Sequence, residues 1–128
     1  MSQINLYTQL EALPKNMTGQ IVNNRLIAMP RPTVPHCLAR SVLGADILPS
    51  YQYGRGGPGG WWIIDEPEVH FIRDIEVVVP DIAGWRKERM PRPPRTHRCE
   101  IVPDWVCEIA SPSTTKLDRT EKMGGALH

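Results

Sequence analysis

Residues 105–110 read Trp105-Val106-Cys107-Glu108-Ile109-Ala110, an apolar run broken by a single acid. Alternation at period two puts Val106, Glu108 and Ala110 on one face of a strand and Cys107 and Ile109 on the other. Both faces are otherwise apolar, so the pattern predicts an interior strand covered on both sides. A carboxylate in such a strand costs several kcal/mol unless it is paired, protonated or bound to a cation. Glu108 therefore marks both the architecture and a candidate site.

The rest of the chain supplies short elements with legible stops. Ile4 to Leu13 is predicted as a short helix with Leu6, Leu10 and Leu13 on one side, closed by Pro14. Gln20-Ile21-Val22 and Arg25 to Met29 flank Asn23-Asn24, and asparagine tolerates the positive φ of a tight hairpin turn. Thr33 can cap a helix with Pro35 in its first turn, an apolar face of Val34, Leu38, Val42, Ala45 and Leu48, and a stop at Pro49.

Gly54 to Gly60 contains the letters G-x-G-x-x-G. No strand precedes it, and the strand-like Trp61-Trp62-Ile63-Ile64 follows where a helix is required, so a mobile glycine loop is expected instead of a dinucleotide site. Further strands are expected at 61–64, 69–72, 75–79 and 82–85. From Arg86 to Arg98 the basic residues Arg86, Lys87, Arg89, Arg92, Arg95 and Arg98 are interleaved with Pro91, Pro93 and Pro94. Proline blocks helix and central strand, which leaves an extended cationic connector that is either merely solvated or a phosphate-contacting arm. After Ser111-Pro112-Ser113-Thr114, a helix is predicted from about Lys116, with Thr115 and Asp118 as a capping pair and Gly124-Gly125 as its end.

The 128 residues suffice for one domain, 1–128, around one core. With a net charge of +1, only a local basic cluster can argue for nucleic acid. No apolar run approaches the ~20 residues of a membrane span. The N-terminal residues do not read as a signal peptide, so a cytoplasmic location is expected. Three widely spaced cysteines, Cys37, Cys99 and Cys107, read as free thiols. His36-Cys37 and His97-x-Cys99 juxtapose metal-ligand types but lack the paired spacings of a zinc site.

The second acid is Asp81, on the parity of Ile75, Val77 and Val79 and directly after Pro80. Two strand-borne acids facing one cleft suit Mg²⁺, which takes one or two carboxylates and keeps several waters. The plainer alternatives are that Asp81 satisfies turn amides and that Glu108 pairs with a buried arginine. Asp118 and Lys122 likewise have the spacing of an ordinary helical ion pair.

Several blocks together resemble the Uma family of restriction-endonuclease-like proteins, within the PD-(D/E)XK nuclease superfamily. They are the glycine loop, Trp61-Trp62, Asp65-Glu66-Pro67-Glu68, residues 79–86 (VPDIAGWR), residues 103–114 (PDWVCEIASPST) and Asp118-Arg119-Thr120-Glu121-Lys122. The resemblance runs from about Gly19 to Lys122. It implies an α/β fold, a restriction-endonuclease-like mixed β-sheet flanked by helices, and Mg²⁺- or Mn²⁺-dependent cleavage of nucleic acid, DNA foremost. Residue by residue, Asp81 matches the PD aspartate and Glu108 the second acid, with the Ile109 carbonyl as a further metal donor. The superfamily's lysine would fall at Ala110, so the resemblance transfers that role to Lys122 on the following helix. The family's hairpin glutamate is replaced by Gln20, a candidate helper. Arg86, Lys87, Arg92 and Arg95 are the candidate nucleic-acid contacts.

Relatives continue past the equivalent of Lys122 through an aliphatic helix and a further strand, whereas this sequence reads Met123 to His128. The expectation is a domain with the last helix and strand missing, an open sheet edge beside Glu108, a homodimer formed through that edge, and weak activity. Two rivals stand beside the nuclease: a catalytically degenerate nucleic-acid-binding module of the same fold, and an interaction fragment whose open edge accepts a partner strand.

Overall fold

A computed structural model describes residues 5–110. Lys122 and the helix expected from Lys116 therefore lie outside the described residues. Two helices, α1 (Leu6–Glu11) and α2 (Val34–Ile47), accompany eight strands. These are β1 (Met17–Val22), β2 (Arg25–Pro30), β3 (Trp61–Asp65), β4 (Glu68–Ile72), β5 (Glu76–Val78), β6 (Ile82–Arg86), β7 (Arg98–Cys99) and β8 (Trp105–Cys107). No helix among the described residues is long and apolar enough to cross a membrane.

The α/β class and the mixed pairing are as expected, but the strands divide between two sheets. One has the order β2-β1-β5-β4-β7 and the other β3-β6-β8. Pairing is antiparallel throughout except between β4 and β7, which run parallel. Period-two alternation explains how the layers stack. Ile21 and Val77 face α1, where they pack with Tyr7 and Leu10. Their neighbours Val22, Val78 and Val69 face the other way and meet Ala83 and Trp85 of the smaller sheet, with Met90 and Cys99 closing the core. The order of layers is α1, the five-stranded sheet, the three-stranded sheet, then α2.

The hairpin forms as the asparagines predict: Val22 pairs with Arg25, and Asn23 and Asn24 adopt φ of 52° and 60°. Gly19 in β1 lets α1 sit close, since a Cβ there would come within 2.8 Å of Leu10 Cγ. Thr33 caps α2, its hydroxyl accepting from the His36 N–H.

Three expectations are corrected. Pro49 does not stop the helical path. Its ring cannot sit in the interior of an α-helix, and Leu48–Gln52 widens into a π turn in which the Tyr53 N–H reaches the Leu48 carbonyl at 3.1 Å. The apolar face of α2 does not pack inward: Val34, Leu38 and Val42 are 81%, 64% and 54% exposed. And β8 is shorter and more open than an interior strand. It spans three residues, pairs only with β6 among the described residues, and leaves Trp105 half-exposed.

The glycine loop folds back on the π turn, with the Gly59 N–H on the Ser50 carbonyl at 2.9 Å. The connector after β6 is anchored instead of merely solvated. Met90 is fully buried, and its carbonyl accepts from the Trp62 indole at 2.8 Å. The three cysteines are free, Cys99 buried and the other two half-buried.

A polar network ties α1 to the five-stranded sheet. The Tyr7 hydroxyl donates to Glu68 at 2.6 Å, His70 Nε2 lies 2.9 Å from the same carboxylate oxygen, and the Arg98 guanidinium lies over the Tyr7 ring. Burial, and then the Glu68 carboxylate, push the Tyr7 pKa well above its ordinary value of 10.0. The unfolded chain releases this proton near pH 10 while the folded chain retains it, so stability falls as the pH rises past that point. Urea titrations between neutral and strongly alkaline pH are expected to show this fall in the wild type, and a shallower one in Tyr7→Phe. Identical slopes would mean that Tyr7 is not linked to folding.

Candidate metal and nucleic-acid site

The chain crosses from the five-stranded to the three-stranded sheet at Pro80-Asp81, and both residues are buried. Gln20 fixes the approach to this crossing: its side-chain oxygen accepts from the Val79 N–H at 2.8 Å. The Asp81 carbonyl accepts from the Glu66 N–H at 2.9 Å. Glu66 adopts φ of 52°, in a region that L-residues with side chains enter at a cost of about 1 kcal/mol or more. The backbone is thus held on both sides of Asp81.

The Asp81 carboxylate is 8% exposed as a residue and is engaged at both oxygens. Oδ1 lies 2.6 Å from His36 Nε2, and Oδ2 accepts from the Ile109 N–H at 2.7 Å. One turn along α2 from His36, the Arg40 guanidinium stands 3.9 Å from Asp81 Oδ1 and also touches Glu66 at 3.4 Å and Asp65 at 3.8 Å. One half-buried arginine and one half-buried histidine on the inner face of α2 therefore answer the carboxylates of Asp65, Glu66 and Asp81.

Glu108 comes to the same place by register. Ile82 pairs with Cys107 as the last pair of the β6–β8 ladder, and Glu108 and Asp81 are the residues that directly follow and precede it. The neighbouring Cys107 thiol has its pKa raised, first by burial and then by the negative charges of Asp81 and Glu108. The two sequence-predicted acids thus flank the same end of the β6–β8 pair, Asp81 one residue before β6 and Glu108 one residue after β8. Gln20 reaches Val79 and not the carboxylates, and Ile109 presents its amide hydrogen to Asp81.

This donor set can be compared with the needs of a divalent cation. Among the described residues, no group of three or more His, Cys, Asp or Glu converges on one point. A zinc site would need such a group, whereas Mg²⁺ or Mn²⁺ accepts one or two carboxylates and fills its remaining positions with water. Asp81 and Glu108 fit the second kind. His36 and Arg40 occupy the vicinity of Asp81 and would have to yield part of it.

The basic connector divides into two groups. Arg86 stacks over Trp61 at 4.8 Å and Lys87 over Trp62 at 4.4 Å, while Arg89 and Arg98 pair with Asp104 and Asp74. Arg92 and Arg95 are exposed and have no ion-pair partner among the described residues. Beside the connector, a cavity of about 320 Å³ is lined by Ile47, Tyr51, Trp61, Ile63 and Trp105 on the α2 side of the smaller sheet.

His36 and Arg40 are the residues of this site that the sequence does not announce. His36 stands out there only beside Cys37. The available signal is their spacing of four on a helix, which puts both on one face away from the apolar stripe.

Comparison with known proteins places the chain in a family. The family model described as "Uma2: Putative restriction endonuclease" matches residues 5–124. A crystal structure from Anabaena variabilis, described as "a putative nuclease belonging to DUF820", superposes with a TM-score of 0.70 at 24% identity. The match covers 92% of this chain and 65% of that one, so the chain spans about two thirds of the length of its structural neighbour. No curated protein matches the sequence.

Proposed function

The chain belongs to the Uma2 family, and from that membership and the placement of Asp81 we propose that it is a Mg²⁺- or Mn²⁺-dependent endonuclease acting on DNA. The observation that carries this reading is a buried carboxylate at the crossing of two sheets, with a second acid one residue beyond the strand that pairs with β6. A bound divalent ion would lower the pKa of a water and neutralise charge on the scissile phosphate.

The chain's own residues do the rest. Asp81 and Glu108 would hold the ion. His36, Arg40 and the Ile109 N–H fix the Asp81 carboxylate, and Gln20 fixes the strand that delivers it. Lys122, outside the described residues, would orient the attacking water or stabilise charge at phosphorus. Arg92 and Arg95 contact DNA phosphates, helped by Arg86 and Lys87, and this supplies affinity independent of base sequence.

A second reading, a DNA-binding module that has lost turnover, is favoured by one observation: protein groups already engage both Asp81 oxygens. Incubating plasmid and single-stranded DNA with the protein in Mg²⁺, Mn²⁺ or EDTA separates the two. Metal-dependent cleavage abolished by EDTA is the expected result. Retarded but intact DNA under every condition would establish the binding module instead. In the same assay, Arg92→Ala with Arg95→Ala should raise the protein concentration needed for half-maximal cleavage and leave the saturated rate unchanged. A loss of saturated rate would place these arginines in the chemistry.

A further inference from the structure

Two arginines are half-buried among the described residues, Arg40 and Arg98, and they are held in different ways. Arg98 closes on the Asp74 carboxylate at 2.5 Å, and its guanidinium lies over the Tyr7 ring. Even the exposed Arg89 reaches Asp104 at 2.8 Å. Arg40 faces three carboxylates with three different nitrogens and closes on none of them. Nη2 stands 3.4 Å from Glu66, Nε 3.8 Å from Asp65 and Nη1 3.9 Å from Asp81, whereas a charge-assisted bond has a length of about 2.7–2.9 Å. The hydrogen bond that Arg40 makes among the described residues is a weak one, to the Cys37 sulfur at 3.9 Å. A guanidinium drawn out of water ordinarily gains close oxygen acceptors in exchange. Here the side chain is 14% exposed, and its donors stand off from every described oxygen.

The surroundings hold Arg40 in place without engaging those donors closely. Glu66, its nearest acid, is tied to Asp81 through the backbone, with its N–H on the Asp81 carbonyl at 2.9 Å. The carboxylate that attracts Arg40 is therefore fixed relative to the acid of the proposed metal pair. His36, one turn earlier on α2, already takes Asp81 Oδ1 at 2.6 Å, so Arg40 stands beside Asp81 without being its main partner.

We propose that Arg40 binds the phosphate that is cut, its donors taking the non-bridging oxygens of the phosphodiester brought to Asp81 while Glu66 holds it there. This deepens the nuclease reading above and rests on it. In the hydrolysis a P–O bond forms to the oxygen of water, one ester P–O bond breaks, and a proton passes to the departing alkoxide oxygen. Negative charge gathers on the non-bridging oxygens as the water adds. A planar fork of N–H donors already in position stabilises that charge more than it stabilises the bound substrate. With Asp65 and Glu66 beside it, Arg40 attracts a phosphate only weakly by itself, and a divalent ion at the acid pair reverses the local sign of charge. Arg40 thus acts on rate at one phosphate, whereas Arg92 and Arg95 act on affinity for the backbone.

Arg40→Ala and Arg40→Lys test this through two measurements: plasmid cleavage at saturating DNA, and Mn²⁺ binding read by electron paramagnetic resonance without DNA. The alanine variant should cleave at least about a hundredfold more slowly. The lysine variant should cleave at least about tenfold more slowly, because it keeps the charge and loses the fork. Mn²⁺ affinity should be unchanged or higher in both, since a cation beside Asp81 competes with the ion. Arg73→Ala, which removes the same charge from an exposed site, should match the wild type in both measurements. Loss of Mn²⁺ binding together with rate would overturn the proposal and make Arg40 a prop for Asp81. So would an Arg40→Lys variant that cleaves as fast as the wild type, and that variant decides the matter if the alanine variant fails to fold. A wild type that binds Mn²⁺ and cuts no DNA would overturn the nuclease reading itself, and this inference with it.

Discussion

Trp85→Ala is expected to leave little folded protein. Trp85 is fully buried at the junction of the two sheets, packed with Val22, Val69, Val78, Met90 and Cys99. Truncating a buried tryptophan to alanine costs about 3–5 kcal/mol. That is comparable to the lower end of the ~5–15 kcal/mol that holds a domain together. The indole also donates to the Ile101 carbonyl at 2.7 Å, so its loss releases the connector between β6 and β8 as well as opening a cavity. Trp85→Phe keeps most of the volume but abandons that carbonyl, for which about 1–3 kcal/mol is expected. Urea denaturation followed by circular dichroism should therefore order the three proteins as wild type, Phe, Ala. An alanine variant within 1 kcal/mol of the wild type, on the scale of ordinary surface substitutions, would mean that the two sheets do not share a core through this residue.

Asp81→Asn should cost activity far more than stability. The amide has the shape of the carboxylate, but its single oxygen can serve His36 or the Ile109 N–H and not both. A destabilisation of about 1–3 kcal/mol is expected from the group left without a partner. Cleavage should fall at least about a hundredfold, because an amide replaces one of only two charged metal donors and the developing charge at phosphorus loses its counterion. A variant that melts slightly earlier and cleaves as fast as the wild type would remove Asp81 from the chemistry and leave it a purely structural residue.

What could be read from the sequence follows how local each determinant is. The Asn23-Asn24 hairpin, the Thr33 cap and the strands around Trp61, Val69 and Ile82 depend on neighbouring residues, and they appear where expected. The orientation of α2 was not legible. A helix is expected to bury its apolar stripe, yet here the opposing sheet surface carries Asp65, Glu66 and Asp81, and these carboxylates draw His36 and Arg40 inward. That preference is set by residues some 25 to 45 positions away, which periodicity within one helix cannot see. The division into two sheets is hidden for a similar reason: the break at Pro80-Asp81 separates two strands without showing that they belong to different sheets. The short strand β7 depends on a parallel pairing of Arg98 and Cys99 with Glu68 and Val69, about 30 residues earlier in the chain.

The central claim is that Asp81 and Glu108 together hold one hard divalent ion, and a titration with Mn²⁺ read by electron paramagnetic resonance addresses it without any substrate. The free-ion signal should be depleted by one equivalent of wild-type chain, restored by competing Mg²⁺, and undepleted by either Asp81→Asn or Glu108→Gln. Depletion that is equal in wild type and both variants, or absent in the wild type at millimolar protein, would contradict the account. It would leave the pair of acids as a structural feature of the sheet junction.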